Sequence, residues 1–163
     1  METARDNIPH ISQYVHKRWE EPPDADKLEN INEAFIYVVN RYIRAASWIS
    51  RAKKEKTLSP LAAQNSIMIL LTEDVAEECV RQGIKCLMGF DFGEGDERKC
   101  KPPLLTRTFE AWLRSQTDES MKTSQRFLVF VSGVLQVVID NLIQQIISTP
   151  NVSKDELLRK LIL

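Results

Sequence analysis

The residues that most often carry out catalytic or metal chemistry are few in this 163-residue chain, and their spacing does not suit it. The two histidines, His10 and His16, are six positions apart, whereas a helical metal pair needs a spacing of three or four. The sequence contains no Gly-rich phosphate loop, no nucleophile elbow and no H-E-x-x-H run. We therefore expect no enzyme activity, no cofactor, no metal and no small-molecule substrate.

The three cysteines, Cys79, Cys86 and Cys100, cannot form a closed set of disulfides and have no C-x-x-C spacing for zinc. Buried or inert thiols in a reducing compartment are the simpler interpretation. Residues 1–6 lack the apolar core of a signal peptide, and the longest apolar run, Phe127 to Val131, is far shorter than the ~20 residues of a membrane helix. We expect an intracellular or particle-enclosed protein that is not secreted and has no membrane partner.

The charge of the chain is almost balanced, with 22 Lys and Arg against 23 Asp and Glu and a net charge of −1. Residues 1–90 hold 12 basic and 13 acidic side chains, residues 91–103 hold 3 and 4, and residues 104–163 hold 7 and 6. Neither half provides a general positive field for a polyanion. Any binding to nucleic acid must therefore depend on a few placed cations.

The elements that would position these side chains are helices, because glycine is rare and long segments have a 3.6-residue period of apolar residues. A short first helix contains Ile8, Ile11, Tyr14 and Val15. Asp24 is a plausible N-cap for a long helix that extends to about Lys54. We expect one face of this helix to be apolar and to carry Ile31, Phe35, Val38, Tyr42, Ala45, Trp48 and Ile49, with Arg41, Arg44 and Arg51 elsewhere.

Two shorter helices follow the long one, over residues 61–71 and 75–88, and each has a capping sequence before it. Residues 91–103 are acidic at first, contain two glycines and end in Pro-Pro, which predicts a linker. The second half repeats the order of short, long and short helices, over residues 108–115, 125–148 and 154–162. We expect its long helix to have an apolar stripe that consists of Phe127, Phe130, Val131, Val134, Leu135, Val138, Leu142 and Ile146.

Short, long and short helices in series are the plan of the histone fold, and both halves of the chain resemble core histones. From Trp48 to Phe90 the sequence is similar, without a gap, to 2B-type histones, including Lys56-Thr57-Leu58-Ser59 in the second loop, Ile69-Leu70-Leu71 in the third helix and Val80, Gly83 and Lys85 in the extra C-terminal helix of that type. Residues 109–114, together with 134–138 and 142–143, resemble 2A-type histones. The order resembles the fused histone doublets of large DNA viruses of amoebae.

The resemblance implies an all-α protein in which two histone folds clasp as a pseudo-heterodimer. Residues 1–90 would form the 2B-type fold, 91–103 the linker and 104–163 a truncated 2A-type fold. It further implies packaging of double-stranded DNA together with a second histone doublet or tetramer-type histones, in a virion, a viral factory or a nucleus. Phosphate contacts would come from loops and helix N-termini, through Arg44, Arg51, Lys53, Lys54, Lys56, Thr57, Arg107, Arg114, Lys122 and Arg126. An acidic partner surface would retain Glu73, Asp74, Glu77 and Glu78.

The sequence also departs from the family, and these departures leave an alternative open. Glu55 replaces a basic loop residue, and the extended C-terminal segment by which 2A-type histones dock onto the tetramer is missing. Gln136, Asn141 and Gln144 stand where 2A-type histones carry acidic residues, so we expect an arginine-anchored partner to dock weakly or not at all. The alternative is a histone-fold scaffold in a transcription-type complex, with little DNA contact, which the near-neutral charge favours.

Overall fold

The computed structural model describes residues 14–15, 25–92, 104–117, 120–149 and 151–163. Its helices are α1 (Ala25–Ala52), α2 (Pro60–Leu70), α3 (Glu73–Phe92), α4 (Arg107–Gln116), α5 (Gln125–Ser148) and α6 (Lys154–Arg159). Two strands of two residues each, β1 (Thr57–Leu58) and β2 (Lys122–Thr123), form a parallel pair. The predicted all-α class is confirmed.

Every predicted start of α1 to α6 agrees with the structure to within two residues, and the largest difference is at α3, which begins at Glu73 where Val75 was predicted. Ser124 caps α5 by accepting a hydrogen bond from the backbone N–H of Phe127, and α5 ends at Ser148 as predicted. Ser153 likewise caps α6 through the N–H of Glu156, although α6 ends three residues before the predicted Ile162. Helix α3 ends at Phe92, beyond the predicted Met88, so its last two residues occupy the expected start of the linker.

Some predictions concern residues whose structure is not described. Only Tyr14 and Val15 of the first helix are described, and both are helical and buried. The expected N-cap Asp24, Trp19, Cys100 and residues 93–103 of the linker lie outside the described ranges.

One hydrophobic core contains residues from both halves of the chain. All eight predicted apolar positions of α5 are buried in it, and α5 packs against α1 and, most extensively, along α3. Phe35 of α1 packs against Phe109 and Trp112 of α4, with ring centroids 6.2 and 6.4 Å apart. Because α1 belongs to the first half and α4 to the second, the described residues of both halves contribute to one core.

The predicted apolar face of α1 is confirmed from Ile31 to Tyr42 and is wrong at Trp48, whose side chain is 69% exposed. Residue 48 lies on the same side of the helix as Arg44 and Arg51, four positions before it and three after it. The buried stripe continues instead through Ala46 and Ser50. Trp112, by contrast, is buried as expected.

Candidate nucleic-acid interface

The two short strands bring together loops that are about 65 residues apart in sequence. Thr57 pairs with Lys122 and Leu58 with Thr123, and the backbone N–H of Lys122 donates to the carbonyl of Lys56 at 2.9 Å. Leu58 and Met121 are buried beneath the pair and anchor both loops to the core. Because the strands are parallel, the residues that precede β1 lie at the same end of the pair as those that precede β2, and the residues that follow the two strands lie together at the other end.

Two helix N-termini begin directly after these strands. The Oγ of Ser59 accepts from the N–H of Ala62 at 3.3 Å and caps α2, and Ser124 caps α5 in the same way at 3.1 Å from Phe127. The Oγ of Ser124 also donates to the carbonyl of Leu58 across the loop pair, at 3.2 Å. The positive ends of two helix dipoles consequently lie beside the strand pair, which favours bound anions.

Exposed cations surround this loop pair. Arg51, Lys53, Lys54, Lys56 and Lys122 are all exposed, and the exposed Thr57 adds a hydroxyl. The guanidinium of Arg51 donates to the Oγ of Ser120 in the second half at 3.2 Å, so it spans the two loops. Glu55, the one acidic side chain between Arg51 and Leu58, is exposed as well, and Asp118 and Glu119 of the second loop lie outside the described residues.

Lys54, two residues after the end of α1, has a left-handed backbone conformation, at φ 60°. The N–H of Lys54 donates to the carbonyl of Arg51, and the N–H of Glu55 donates to the carbonyl of Ser50, each at 2.9 Å. These two bonds form a Schellman motif, which reverses the chain so that the loop can reach β2. Glycine is the residue usually preferred at such a position, because it has no Cβ.

Arg114 is held in place by a network within the second half. Its guanidinium donates to the Oγ1 and the carbonyl of Thr123 at 2.6 and 3.4 Å, to Glu110 at 3.2 Å and to Gln125 at 3.5 Å. The Arg114 side chain stays 43% exposed, directly beside β2. The loop pair therefore contains two hydrogen-bonded guanidinium groups, those of Arg51 and Arg114, beside several exposed lysine ammonium groups.

Arg126 has a carboxylate partner, which the sequence did not indicate. Two hydrogen bonds, at 2.9 and 3.1 Å, join its guanidinium to Asp91 near the end of α3. These bonds raise the pKa of Arg126 and keep it charged. A phosphate would have to compete with Asp91 for this side chain.

Arg44 and Arg107 are exposed but are not in the loop pair. Arg44 lies on α1 two turns before Arg51, and Arg107 is the first residue of α4, two turns before Arg114. The structure thus groups seven of the ten predicted phosphate-binding residues at the loop pair: Arg51, Lys53, Lys54, Lys56, Thr57, Arg114 and Lys122.

The predicted acidic partner surface lies on the first turns of α3. Glu73, Asp74, Glu77 and Glu78 are all exposed, and Glu78 forms an ion pair with Arg81 at 2.6 Å. Glu73 and Asp74 are in the first turn, where a carboxylate interacts favourably with the helix dipole. This placement would stabilise the helix with or without a partner.

Sequence reasoning missed a set of exposed apolar side chains next to the loop pair. Leu61, Met68 and Ile69 share one face of α2 and are 57–59% exposed, and Trp48 lies on the adjoining α1. The heptad spacing of Leu61 and Met68 was visible, but the sequence could not tell whether that face pointed inward. Exposed large apolar groups of this kind are typical of a protein interface.

One helix of the described residues, α5, is long and apolar enough to cross a membrane by length and composition alone. In its most apolar window 78% is buried inside the protein, as in the core helix of a globular domain. The longest run of consecutive apolar residues, Phe127 to Val131, did not reveal how apolar the whole helix is. Ser132, Gly133 and Gln136 interrupt the run, but they do not make the helix polar. Within the described ranges, no three His, Cys, Asp or Glu side chains cluster as a metal site would require.

The chain matches no protein-family model, and no curated protein is significantly similar to it.

Proposed function

We propose that this protein is a histone doublet, a 2B-type fold followed by a 2A-type fold, that packages double-stranded DNA. It would bind the DNA backbone without reading base sequence, and it would assemble with a second doublet or with tetramer-type histones. The proposed setting is a virion, a viral factory or a nucleus.

The parallel loop pair is the observation that carries this proposal. It joins one loop from each half, with β1 and β2 in register and a capped helix starting after each strand. Backbone N–H groups at helix ends, with lysine and arginine beside them, bind phosphates and carry no base information. Cations from both halves converge there, so the intact doublet would be needed for binding.

The lengths of the helices support the interpretation of the chain as two histone folds. The first half has a 28-residue helix, an 11-residue helix and an additional 20-residue helix, and the second has helices of 10, 24 and 6 residues. The additional helix α3 covers the long helix of the other half. This is the role we expect for the extra helix of a 2B-type fold.

A protein partner is supported by the exposed apolar side chains of α1 and α2. Trp48, Leu61, Met68 and Ile69 would lose contact with water if another helical pair packed on them. We propose that the second doublet binds here.

Nuclease protection tests the proposal. The purified doublet, mixed with its histone partner and DNA, should protect DNA fragments at physiological salt. A triple charge reversal, Lys53→Glu, Lys54→Glu and Lys56→Glu, should abolish protection and lower the salt dependence of binding by about 2–3 ions released. Absence of protection by the unmodified doublet would exclude DNA packaging.

A matched control separates the effect of the charges at the loop pair from the effect of the net charge of the protein. Lys85, Arg159 and Lys160 are also exposed, and reversing all three changes the net charge by the same amount on other elements. This second triple variant should retain most of the protection. Equal loss in both variants would mean that only the net charge matters, and that the loop pair has no special role.

The second candidate function is a histone-fold scaffold with little DNA contact, favoured by the net charge of −1 and by the exposed apolar set. A scaffold would bind its protein partner equally well with or without the Lys53, Lys54 and Lys56 reversals. Partner binding that persists while DNA is never protected would favour the scaffold.

A further inference from the structure

A polar cleft of about 360 Å³ lies between α3 and α5, which run antiparallel, and it is open on its outer side. This volume is within the range of sites that bind small groups, about 300–1,000 Å³. Apart from Val137, its lining is polar and consists of Glu78, Gln82, Gln136, Asp140, Asn141 and Gln144. Four side-chain amides and two carboxylates thus face one cleft.

Gln136 lies deepest in this group, with only 3% of its surface exposed. Its Oε1 accepts a hydrogen bond from Nε2 of Gln82 at 3.3 Å. Its own Nε2 is buried and has no hydrogen-bond partner among the described residues. Because burying an unpaired donor is costly, this position favours a ligand that brings an acceptor oxygen.

Asn141 provides a second donor near Gln136. Its Oδ1 accepts from Nε2 of Gln145 at 2.7 Å, so its amide N–H groups are left to point away from that bond. Asn141 is half-buried and lines the same cleft, so its amide N–H groups add a second donor beside that of Gln136.

The cleft also favours a ligand that donates a hydrogen bond and carries no negative charge. The carboxylates of Glu78 and Asp140 line the same cleft and would repel a carboxylate ligand. A guanidinium would be attracted by those carboxylates, but it has only donors and would leave Nε2 of Gln136 without an acceptor. A carboxamide satisfies both requirements, since its oxygen accepts from Gln136 and its NH₂ donates to a carboxylate or to Oε1 of Gln82.

We propose that this cleft binds the carboxamide of a glutamine or asparagine side chain presented by a partner polypeptide. The site is separate from the loop pair, and the proposal does not depend on DNA binding. It gives the amides at positions 136, 141 and 144 a role in selecting a neutral side chain over a basic one.

Three matched peptides test the proposal, of the form acetyl-Gly-Gly-Xaa-Gly-Gly-N-methylamide with Xaa as Gln, Arg or Glu. NMR titration of the ¹⁵N-labelled full chain without DNA would follow the side-chain NH₂ signals of Gln136 and Asn141. We expect the Gln peptide to shift both signals and to bind about fivefold more tightly than the other two, the factor of one net hydrogen bond. Equal binding of the three peptides, tighter binding of the Arg peptide or unshifted Gln136 signals would overturn it.

Two variants locate the effect at Gln136. Gln136→Leu should remove the preference for the Gln peptide, whereas Gln136→Glu replaces the donor with acceptors and should reverse the preference toward the Arg peptide. Thermal melting of each variant checks that it is folded, and the peptide series on the unmodified chain decides the question if either is not. The triple reversal of Lys53, Lys54 and Lys56 should leave peptide binding unchanged, so failure of DNA packaging and failure of this proposal are distinguishable.

Discussion

Single residues at the loop pair have both structural and binding roles, and Lys54 shows the conflict between them. Its positive φ suits glycine, yet the residue present is a lysine whose charged side chain is exposed in the loop before β1. A left-handed backbone costs a residue with a Cβ about 1–2 kcal/mol. If Lys54 binds phosphate, that cost is offset by function and not by the stability of the fold.

Replacing Lys54 with glycine should therefore separate the two roles. We expect Lys54→Gly to raise the free energy of unfolding by about 1 kcal/mol, measured by urea denaturation, because the strain is relieved. DNA affinity should fall, with the salt slope reduced by about one ion. Lys53→Gly is the matched control: it removes the same charge at a residue without positive φ, so it should not stabilise the protein. A Lys54→Gly protein less stable than the original would contradict this account.

The thiol of Cys79 makes stability depend on pH in the alkaline range. Burial raises its pKa from 9.0 to about 12, and the Sγ donates to the carbonyl of Val134 at 3.8 Å. Above pH 9 the unfolded chain loses this proton while the folded chain keeps it, so stability falls as pH rises from 9 toward 12. Below pH 9 the thiol is protonated in both states and adds no slope.

Cys79→Ala should flatten that decline by about 1.4 kcal/mol per pH unit between pH 9.5 and 10.5. Urea denaturation at several pH values measures the slope, which is independent of the cavity that the substitution leaves. Cys86→Ala should change the slope less, because Cys86 is only half-buried and its smaller rise in pKa is opposed by Lys85. Identical slopes for the Cys79→Ala and unmodified proteins would show that this thiol ionises freely in the folded state.

At the scale of elements, the position of α3 on α5 depends on two glycines at their crossing. A Cβ built on Gly133 would lie 2.9 Å from the carbonyl oxygen of Gln82 and 3.1 Å from Cα of Gly83. These neighbours are backbone atoms of α3 and cannot turn aside as a side chain can. The two helices therefore approach as closely as they do only because position 133 has no side chain.

Gly133→Ala should destabilise the protein by about 1–3 kcal/mol, as overpacking of a close contact does. Gly89 is the control in a helix, since a Cβ there would meet nothing within 4 Å. Gly89→Ala should stabilise the protein by up to about 1 kcal/mol through helix propensity alone. Chemical denaturation of both variants gives the comparison, and a neutral Gly133→Ala would mean that α3 can move away from α5 without cost.

The helices and strands differ in how accurately the sequence predicted them, and the reasons for this are physical. Helix α5 was predicted to the residue, because Ser124 caps it and Pro150 follows its end. Trp48 was misplaced because a period of 3.6 residues fits two adjoining stripes of α1 equally well there. The pairing of Thr57 with Lys122 depends on tertiary packing between distant segments, so no local pattern could predict it. The same holds for the bond between Asp91 and Arg126 and for the cleft at Gln136.

At the scale of the whole molecule, the two halves share one core, so their folding should be coupled. Trp112 of the second half packs on Phe35 of the first with its ring 24° from parallel, and α5 is buried against α1 and α3. A half folded alone would expose the apolar stripe of its long helix to water. The loop pair, which needs one loop from each half, would then form only in the folded full-length chain.

This coupling predicts a single unfolding transition. In a Trp19→Phe, Trp48→Phe background the fluorescence of Trp112 reports the contact between the halves, while far-UV circular dichroism reports the helices. We expect the two signals to change with the same midpoint in urea, as in a two-state domain. Phe35→Leu, which weakens the contact between the halves, should lower both midpoints by the same amount. If fluorescence changed first while the helical signal persisted, the halves would be separate folding units, and the loop pair would be an interface between domains rather than an integral part of one fold.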